Sequence, residues 1–156
     1  MKKTPLIITF LLISLFVLAG TVMAHPVNFK AHMSAAAGVD SAGQGQAKFQ
    51  LDHNDLSFIM PVSILNGDTT AAHIHISQTP GGNGGIFVSL CGEFGPPPIP
   101  VADCGGPGNP ARGSITLSDE QVATLMEAIA ANKAYVNVHT PAVPSGEIRG
   151  QIVAAP

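Results

Sequence analysis

The side chains in this sequence best suited to chemistry are three histidines in two alternating segments. His73 and His75 lie in segment 71–77 (AAHIHIS), and His139 lies in segment 134–140 (AYVNVHT). Successive side chains of a β-strand point to opposite faces, so His73 and His75 would share one face, about 7 Å apart. Neutral imidazole binds both copper and zinc well. If folding brings His139 to the pair, the three residues can form a copper or zinc site.

A structural role for the same three histidines is the alternative. Imidazoles on the polar face of a strand can hydrogen-bond to the backbone or to polar side chains such as Asn137 and Glu147. No fourth metal ligand is evident in either segment. The sequence therefore leaves two hypotheses open, a three-histidine metal site and a hydrogen-bonded network without an ion.

The N-terminus has the pattern of a secretory signal peptide. Two lysines precede an apolar run over residues 6–18, and a cleavage motif of the small-residue type ends at Ala24. The apolar run is short for a membrane-spanning helix, which needs about 20 residues. We therefore predict a signal peptide over residues 1–24, one domain over residues 25–156, and a secreted or periplasmic protein.

Cleavage after Ala24 would make His25 the first residue of the mature chain. Its amino group and imidazole could then chelate copper, and His32 could complete this accessory site. The alternative is that both histidines are solvated, as polar side chains near a chain end usually are. His25 and His32 are therefore accessory candidates beside the principal three histidines.

Charge restricts the partners that this protein can have. The chain has 7 Lys and Arg residues against 10 Asp and Glu residues, a net charge of −3. Nucleic acids and anionic membranes attract basic patches, so neither is an expected partner of the exported chain. A protein at the cell surface is the remaining candidate partner, and the sequence does not predict an oligomeric state.

The two cysteines, Cys91 and Cys104, predict a disulfide. In an oxidising compartment two cysteines are expected to form a disulfide, and closing the loop between them would stabilise the fold by about 3 kcal/mol. Their spacing does not match the short spacing of a thiolate metal site. A disulfide also leaves no free thiol for nucleophilic chemistry.

Alternating apolar and polar residues predict a domain built almost entirely of strands. A capping box at Ser118 and Gln121 begins the one convincing helix, which Asn132 can end in a left-handed conformation. We expect an all-β fold, an antiparallel β-sandwich with Greek-key-like connections and one short helix before the last two strands. In the last strand Glu147 and Arg149 would point outward together, as a salt bridge or a strand-pairing clamp. The predicted strands are 27–35, 46–53, 56–65 (with Pro61 at an edge or a bulge), 71–77, 86–90, 112–117, 135–140 and 147–153.

Two longer motifs resemble the CHRD domain, a module named from its repeats in chordin and also found singly in secreted bacterial proteins. The motifs are AAHIHIS with the glycine-rich loop after it, and AYVNVHTPAVPSGEIRGQIV near the C-terminus. The resemblance extends over residues 28–153, apart from a Cys- and Pro-rich insertion between Cys91 and Pro110. It implies a β-sandwich outside the cytoplasm, without a well-established biochemical activity. The polar residues that match the motifs are His73, His75 and His139, with Asn137, Glu147 and Arg149 as supporting or structural residues.

The H-x-H strand is also similar to one part of the copper/zinc superoxide dismutase site. The further histidines and the aspartate of that enzyme's zinc loop have no counterpart here. A non-enzymatic exported binding module, which holds copper or zinc or a protein partner, is therefore the preferred function. The alternatives are a copper redox enzyme of dismutase-like type, in which Arg149 would steer an anion, and a structural adhesion module without metal. Neither a G-x-S-x-G elbow nor a Ser-His-Asp order indicates a hydrolase.

Overall fold

A computed structural model describes residues 26–92, 103–106 and 108–156, so the predicted signal peptide and His25 lie outside it. Within the described residues, no helix has the length and apolarity needed to cross a membrane. The secondary-structure elements in chain order are β1 (Val27–Ala35), β2 (Gln44–Asp52), β3 (Asp55–Met60), β4 (Val62–Ser63), β5 (Ala71–Ser77), β6 (Gly84–Gly92), β7 (Gly105–Gly106), β8 (Asn109–Thr116), α1 (Asp119–Ala130), β9 (Ala134–His139), β10 (Ile148–Gln151) and β11 (Val153–Ala154).

The strands form one antiparallel sheet in the order β6-β5-β9-β10-β1-β2-β3-β8-β7, with β11 paired to β1 and β4 paired to β2. Neighbours such as β5 and β9, or β3 and β8, are far apart in the chain, so crossover connections join them. These pairings confirm the all-β antiparallel fold that the alternation predicts.

Strand β1 connects the two halves of this sheet. Its first residues pair with β2 and β11, whereas its last residues, Ser34 and Ala35, pair with β10. Side chains from both halves, such as Phe49 of β2 and Val136 of β9, belong to the same buried core. The sheet therefore curls over itself into the expected sandwich, and the core lies between its halves.

Buried aromatic side chains explain the register in which β1, β2 and β3 pair. Phe29, Phe49 and Phe58 lie opposite one another across the three strands, and all three are buried. Burying one such side chain contributes about 1.5–3 kcal/mol. A slip of one residue would turn each ring toward solvent, so the alternation itself fixes the register.

The helix begins and ends where the sequence predicts. Ser118 Oγ accepts a hydrogen bond from the backbone of Gln121, whose side chain accepts one from the backbone of Ser118. Asn132, with φ of 55°, turns the chain out of the helix. Leu125 and Ala128 are buried against the core, so the apolar face of α1 is a packing face.

Two strands predicted as continuous are each interrupted. The strand predicted over 56–65 breaks at Pro61, which has no N–H to donate to a ladder, into β3 and β4. The strand predicted over 147–153 breaks at Ile152, whose N–H donates to Ala134 on one side while β11 pairs with β1. The helix therefore precedes two main strands, β9 and β10, and the two-residue strand β11.

The predicted disulfide is confirmed. Cys91 at the end of β6 is bonded to Cys104, with their Cα atoms 5.0 Å apart. Residues 93–102, the middle of the Cys- and Pro-rich insertion, lie outside the described residues.

Candidate metal centre

The candidate site lies on one face of three adjacent strands, β5, β9 and β10. In their register His73 is opposite Asn137, which is opposite Arg149, and His75 is opposite Tyr135 in the next row. The alternate residues Ile74 and Val136 are buried in the core. Because successive side chains alternate between the two faces of a strand and the apolar ones face the core, the polar side chains of these rows all lie on the other face.

The structure brings all three predicted histidines together. Nδ1 of His73 lies 3.0 Å from Nε2 of His139, and one ring nitrogen from each of His73, His75 and His139 lies within 4.8 Å of the others. The β5–β6 register shifts between Ala72 and His73 and again between Ile74 and His75. Such irregularities redirect side chains, and here they accompany two rings whose centroids are only 5.7 Å apart.

Backbone carbonyls fix the tautomers of two of the rings. Nδ1 of His75 lies 3.0 Å from the Gly84 carbonyl oxygen, and Nδ1 of His139 lies 2.9 Å from that of Pro144. A carbonyl oxygen only accepts hydrogen bonds, so each Nδ1 carries the proton and donates it. Each neutral ring then presents the lone pair of Nε2. This carbonyl-supported arrangement is the usual one for histidines that bind metal ions.

Nε2 of His75 is the most informative atom of the group. It is buried and has no hydrogen-bond partner among the described residues. A buried acceptor without a partner costs about 1–3 kcal/mol. A purely structural network would satisfy this atom, whereas a metal site leaves it available to the ion.

Burial keeps two of the rings neutral. Desolvation lowers the pKa of His75 and outweighs the opposing effect of the Gly84 carbonyl. His139, when it is protonated, and Arg149 lower this pKa further through their positive charge. Desolvation also lowers the pKa of His139, against the opposing effect of the Pro144 carbonyl. Since only neutral imidazole binds a metal ion, both rings are in the ligand-competent form at neutral pH.

The distances fit a single ion after a small movement. Copper or zinc bonds to nitrogen at about 2.0–2.1 Å, so two ligand nitrogens are about 3.4 Å apart in tetrahedral geometry and at most about 4.2 Å apart. The separation of 3.0 Å between His73 and His139 is close to the first value. The limit of 4.8 Å for the whole group exceeds the second value by less than 1 Å.

Tyr135 is a site residue that the sequence analysis did not single out. Its ring stacks on the His75 ring at 5.0 Å between centroids, and the guanidinium carbon of Arg149 lies 3.7 Å from the centroid of the Tyr135 ring. Its hydroxyl accepts a hydrogen bond from Gly84 N at 3.1 Å. The signal was present, because Tyr135 shares the alternating face of Asn137 and His139.

The prediction for Glu147 is wrong in both orientation and partner. Glu147 does not point outward but is fully buried, and its carboxylate accepts hydrogen bonds from Ser41 Oγ at 2.5 Å, Thr140 Oγ1 at 2.7 Å and Asn66 N at 2.8 Å. It precedes β10, so the alternation of that strand does not fix its direction. Burial alone would raise the pKa of Glu147, but these hydrogen bonds lower it below its usual value.

Arg149 likewise makes no salt bridge with Glu147. Its guanidinium donates to Asn83 Oδ1 at 2.7 Å and to the Gly82 carbonyl at 3.0 Å. Gly82 and Asn83 belong to the glycine-rich loop after β5, whose Gly84 holds His75. Arg149 therefore positions the loop that orients one of the histidines.

Of the two accessory histidines, the structure describes only His32, which is not part of this group. His32 is exposed on β1, with Nδ1 3.2 Å from the Gln46 amide nitrogen, and the three-histidine group does not include it. His25 lies outside the described residues.

Comparison with known families identifies the domain. A family profile described as the CHRD domain matches residues 29–152, which include all three histidines of the candidate centre. A comparison with curated proteins and a comparison with solved structures each give no significant match. The two motifs and the family match agree over most of the sequence, and the chain belongs to the CHRD domain family.

Proposed function

We propose that this chain is an exported module that binds one copper or zinc ion through His73, His75 and His139. The observation that carries the proposal is the convergence of three ring nitrogens within 4.8 Å, two of them on rings whose tautomers backbone carbonyls fix. Three neutral nitrogen ligands suit copper and zinc better than calcium or magnesium, which prefer oxygen.

Export is part of the same proposal. The N-terminal segment has the pattern of a signal peptide, and the Cys91–Cys104 disulfide is typical of an oxidising compartment. An exported protein that binds copper or zinc must hold the ion against other ligands. A preorganised site of three histidines is suited to that competition.

A binding module is favoured over a dismutase-like copper enzyme. The described residues contain one group of three metal-binding side chains and no second group, whereas a copper/zinc enzyme of that type holds two ions. Three protein ligands would leave one coordination position of the ion open. Arg149 lies near His75 and would attract an anion to that position, so a redox enzyme is the second candidate. An adhesion module without metal is the third candidate, and it gives no role to the unpartnered Nε2 of His75.

Metal analysis tests the proposal. Protein expressed from the full-length sequence without a tag should bind about one copper or zinc ion per chain, measured by elemental analysis after dialysis and by titration calorimetry. His139→Gln should lower the affinity by about a hundredfold, since loss of a partner that only supports a ligand already costs about 10- to 100-fold. His32→Gln is the matched control, because His32 is an exposed histidine outside the group.

Two results would decide against the proposal. Wild-type protein without metal above background after loading would exclude the site. Equal metal binding by wild type and by His139→Gln, with both variants folded by circular dichroism, would place the ion elsewhere. A copper-loaded protein that turns over superoxide would favour the second candidate over the module.

A further inference from the structure

A cleft of about 330 Å³ lies beside the histidines, and His75, Tyr135, Asn137 and Arg149 form part of its wall. This volume lies at the lower end of the range for small-molecule pockets. The described residues that line the cleft include no Asp or Glu. Among the described residues of its wall, the one permanent charge is the guanidinium of Arg149, in a chain whose net charge is −3.

The charge of Arg149 is not compensated within the described chain. The only salt bridge there joins His53 to Asp52, so no described carboxylate is paired with Arg149. Two of its N–H groups donate to the neutral acceptors Asn83 and Gly82, which leaves other N–H groups available on the guanidinium. A half-buried cation with further donors and no carboxylate partner among the described residues is suited to a carboxylate ligand, which it can bind through charge-assisted hydrogen bonds.

The same wall carries two acceptors without donors. Oδ1 of Asn137 and Nε2 of His75 are both buried and unpartnered, and each residue is only 7 % exposed. The Asn137 amide is held from its other side, where Nδ2 donates to the Ser145 carbonyl at 3.2 Å. Both acceptors are enclosed, so a ligand donor would reach them only if the amide or the ring rotates.

We propose that this cleft binds a small carboxylate that also carries a hydroxyl or amino group. Arg149 binds the carboxylate, and Asn137 accepts a hydrogen bond from the hydroxyl or amine. A carboxylate without a hydroxyl or amino group would bind only Arg149, and a neutral hydroxy compound would bind only Asn137. The inference does not depend on the proposed ion, although a bound ligand and the ion would be neighbours because both contact His75.

The test is a matched series of three probes on metal-free protein expressed from the full-length sequence. Lactate carries both groups, propionate lacks the hydroxyl, and lactamide lacks the charge. Amide chemical shifts of residues around the cleft, such as Gly84, Gly146 and Arg149, report binding. Lactate should bind about tenfold more tightly than either of the other probes, since each lacks one buried hydrogen-bonding group. Sodium chloride at equal ionic strength is the blank.

Two variants assign the roles. Arg149→Gln should weaken lactate binding by about tenfold or more, because the charge-assisted hydrogen bonds are lost. Arg112→Gln, at an exposed arginine on β8, should leave it unchanged. Asn137→Leu, which keeps the branched shape of the side chain but removes its hydrogen-bonding groups, should lower lactate affinity to that of propionate and leave propionate unaffected.

The ligand series decides the matter even if a variant fails to fold, because it uses wild-type protein alone. Equal shifts from all three probes would overturn the proposal, as would shifts confined to residues away from the cleft or no cleft shifts at all. Metal binding is measured separately, so loss of either proposal leaves the other standing.

Discussion

Nδ1 of His73 lies 3.0 Å from Nε2 of His139, although the two residues are 66 positions apart in the sequence. Since the Pro144 carbonyl fixes the proton of His139 on its Nδ1, His139 Nε2 is the acceptor in this pair and His73 Nδ1 is the donor. A proton therefore lies between two nitrogens that are spaced almost as they would be on one ion. Under the proposed function, an ion bound at this pair would take the place of that proton between the two nitrogens.

This exchange predicts a change of tautomer at His73. In metal-free protein the neutral ring should carry its proton on Nδ1, and after zinc is added the proton should be on Nε2, because the ion occupies the Nδ1 lone pair. Long-range proton–nitrogen correlation spectra distinguish the two forms. The ring of His32 should not change, and an unchanged His73 spectrum at saturating zinc would contradict ligation through Nδ1.

Metal affinity should depend on pH in one direction. Burial lowers the pKa of His75 and of His139 below the ordinary value of 6.5, so both rings are neutral above about pH 6.5 and begin to take up protons only below it. Zinc affinity, measured by competition with a chelator of known pH dependence, should be constant above about pH 6.5 and fall as the pH decreases below it. An affinity that is constant down to about pH 4 would argue against histidine ligands.

The buried carboxylate of Glu147 should contribute to stability. Its hydrogen bonds to Ser41, Asn66 and Thr140 connect the loop after β1, the loop after β4 and the end of β9. Glu147→Gln replaces one acceptor oxygen by a donor, so the free energy of unfolding at pH 7 should fall by about 1–3 kcal/mol in urea denaturation. Glu127→Gln, at an exposed position of α1, is the control and should change it by less than about 0.5 kcal/mol.

The same carboxylate predicts how stability changes with acid. The folded-state pKa of Glu147 is lowered from 4.5, so its contribution is present above about pH 4.5 and is lost as the pH falls through the folded-state pKa. Glu147→Gln should therefore lose less stability than wild type between about pH 4.5 and pH 2. Parallel pH curves for the two proteins would show that Glu147 is not stabilised in its charged form.

Replacing Gly146 should destabilise the fold because the side chain of Asn137 packs directly against it. It has φ of 116°, and a Cβ atom there would overlap the side-chain amide of Asn137. Gly38 also has a positive φ, of 80°, but a Cβ atom there would meet nothing. Gly38→Ala should cost about 1–2 kcal/mol for the backbone conformation alone, and Gly146→Ala should cost about 1–3 kcal/mol more. Equal costs in urea denaturation would show that the Asn137 contact is not tight.

The sequence determined the fold class and singled out the three histidines that the fold brings together. Alternation with a period of two placed His73 and His75 on one face and predicted β1 and β5 to the residue, because an apolar core fixes which face of each strand is buried. The capping box and Asn132 determined both ends of the helix, because these signals act within a few residues. The disulfide was also predictable, since only two cysteines are present.

The tertiary structure decided how these residues meet. The pairing of β5 with β9 brings His139 beside His73, and no local pattern specifies which strands become neighbours across 66 residues. The burial of Glu147 depends on hydroxyl and amide donors from three separate segments, so its own strand could not reveal it. The stack of Tyr135 with His75 and Arg149, and the cleft beside it, likewise exist only because side chains from three strands share one face of a folded sheet.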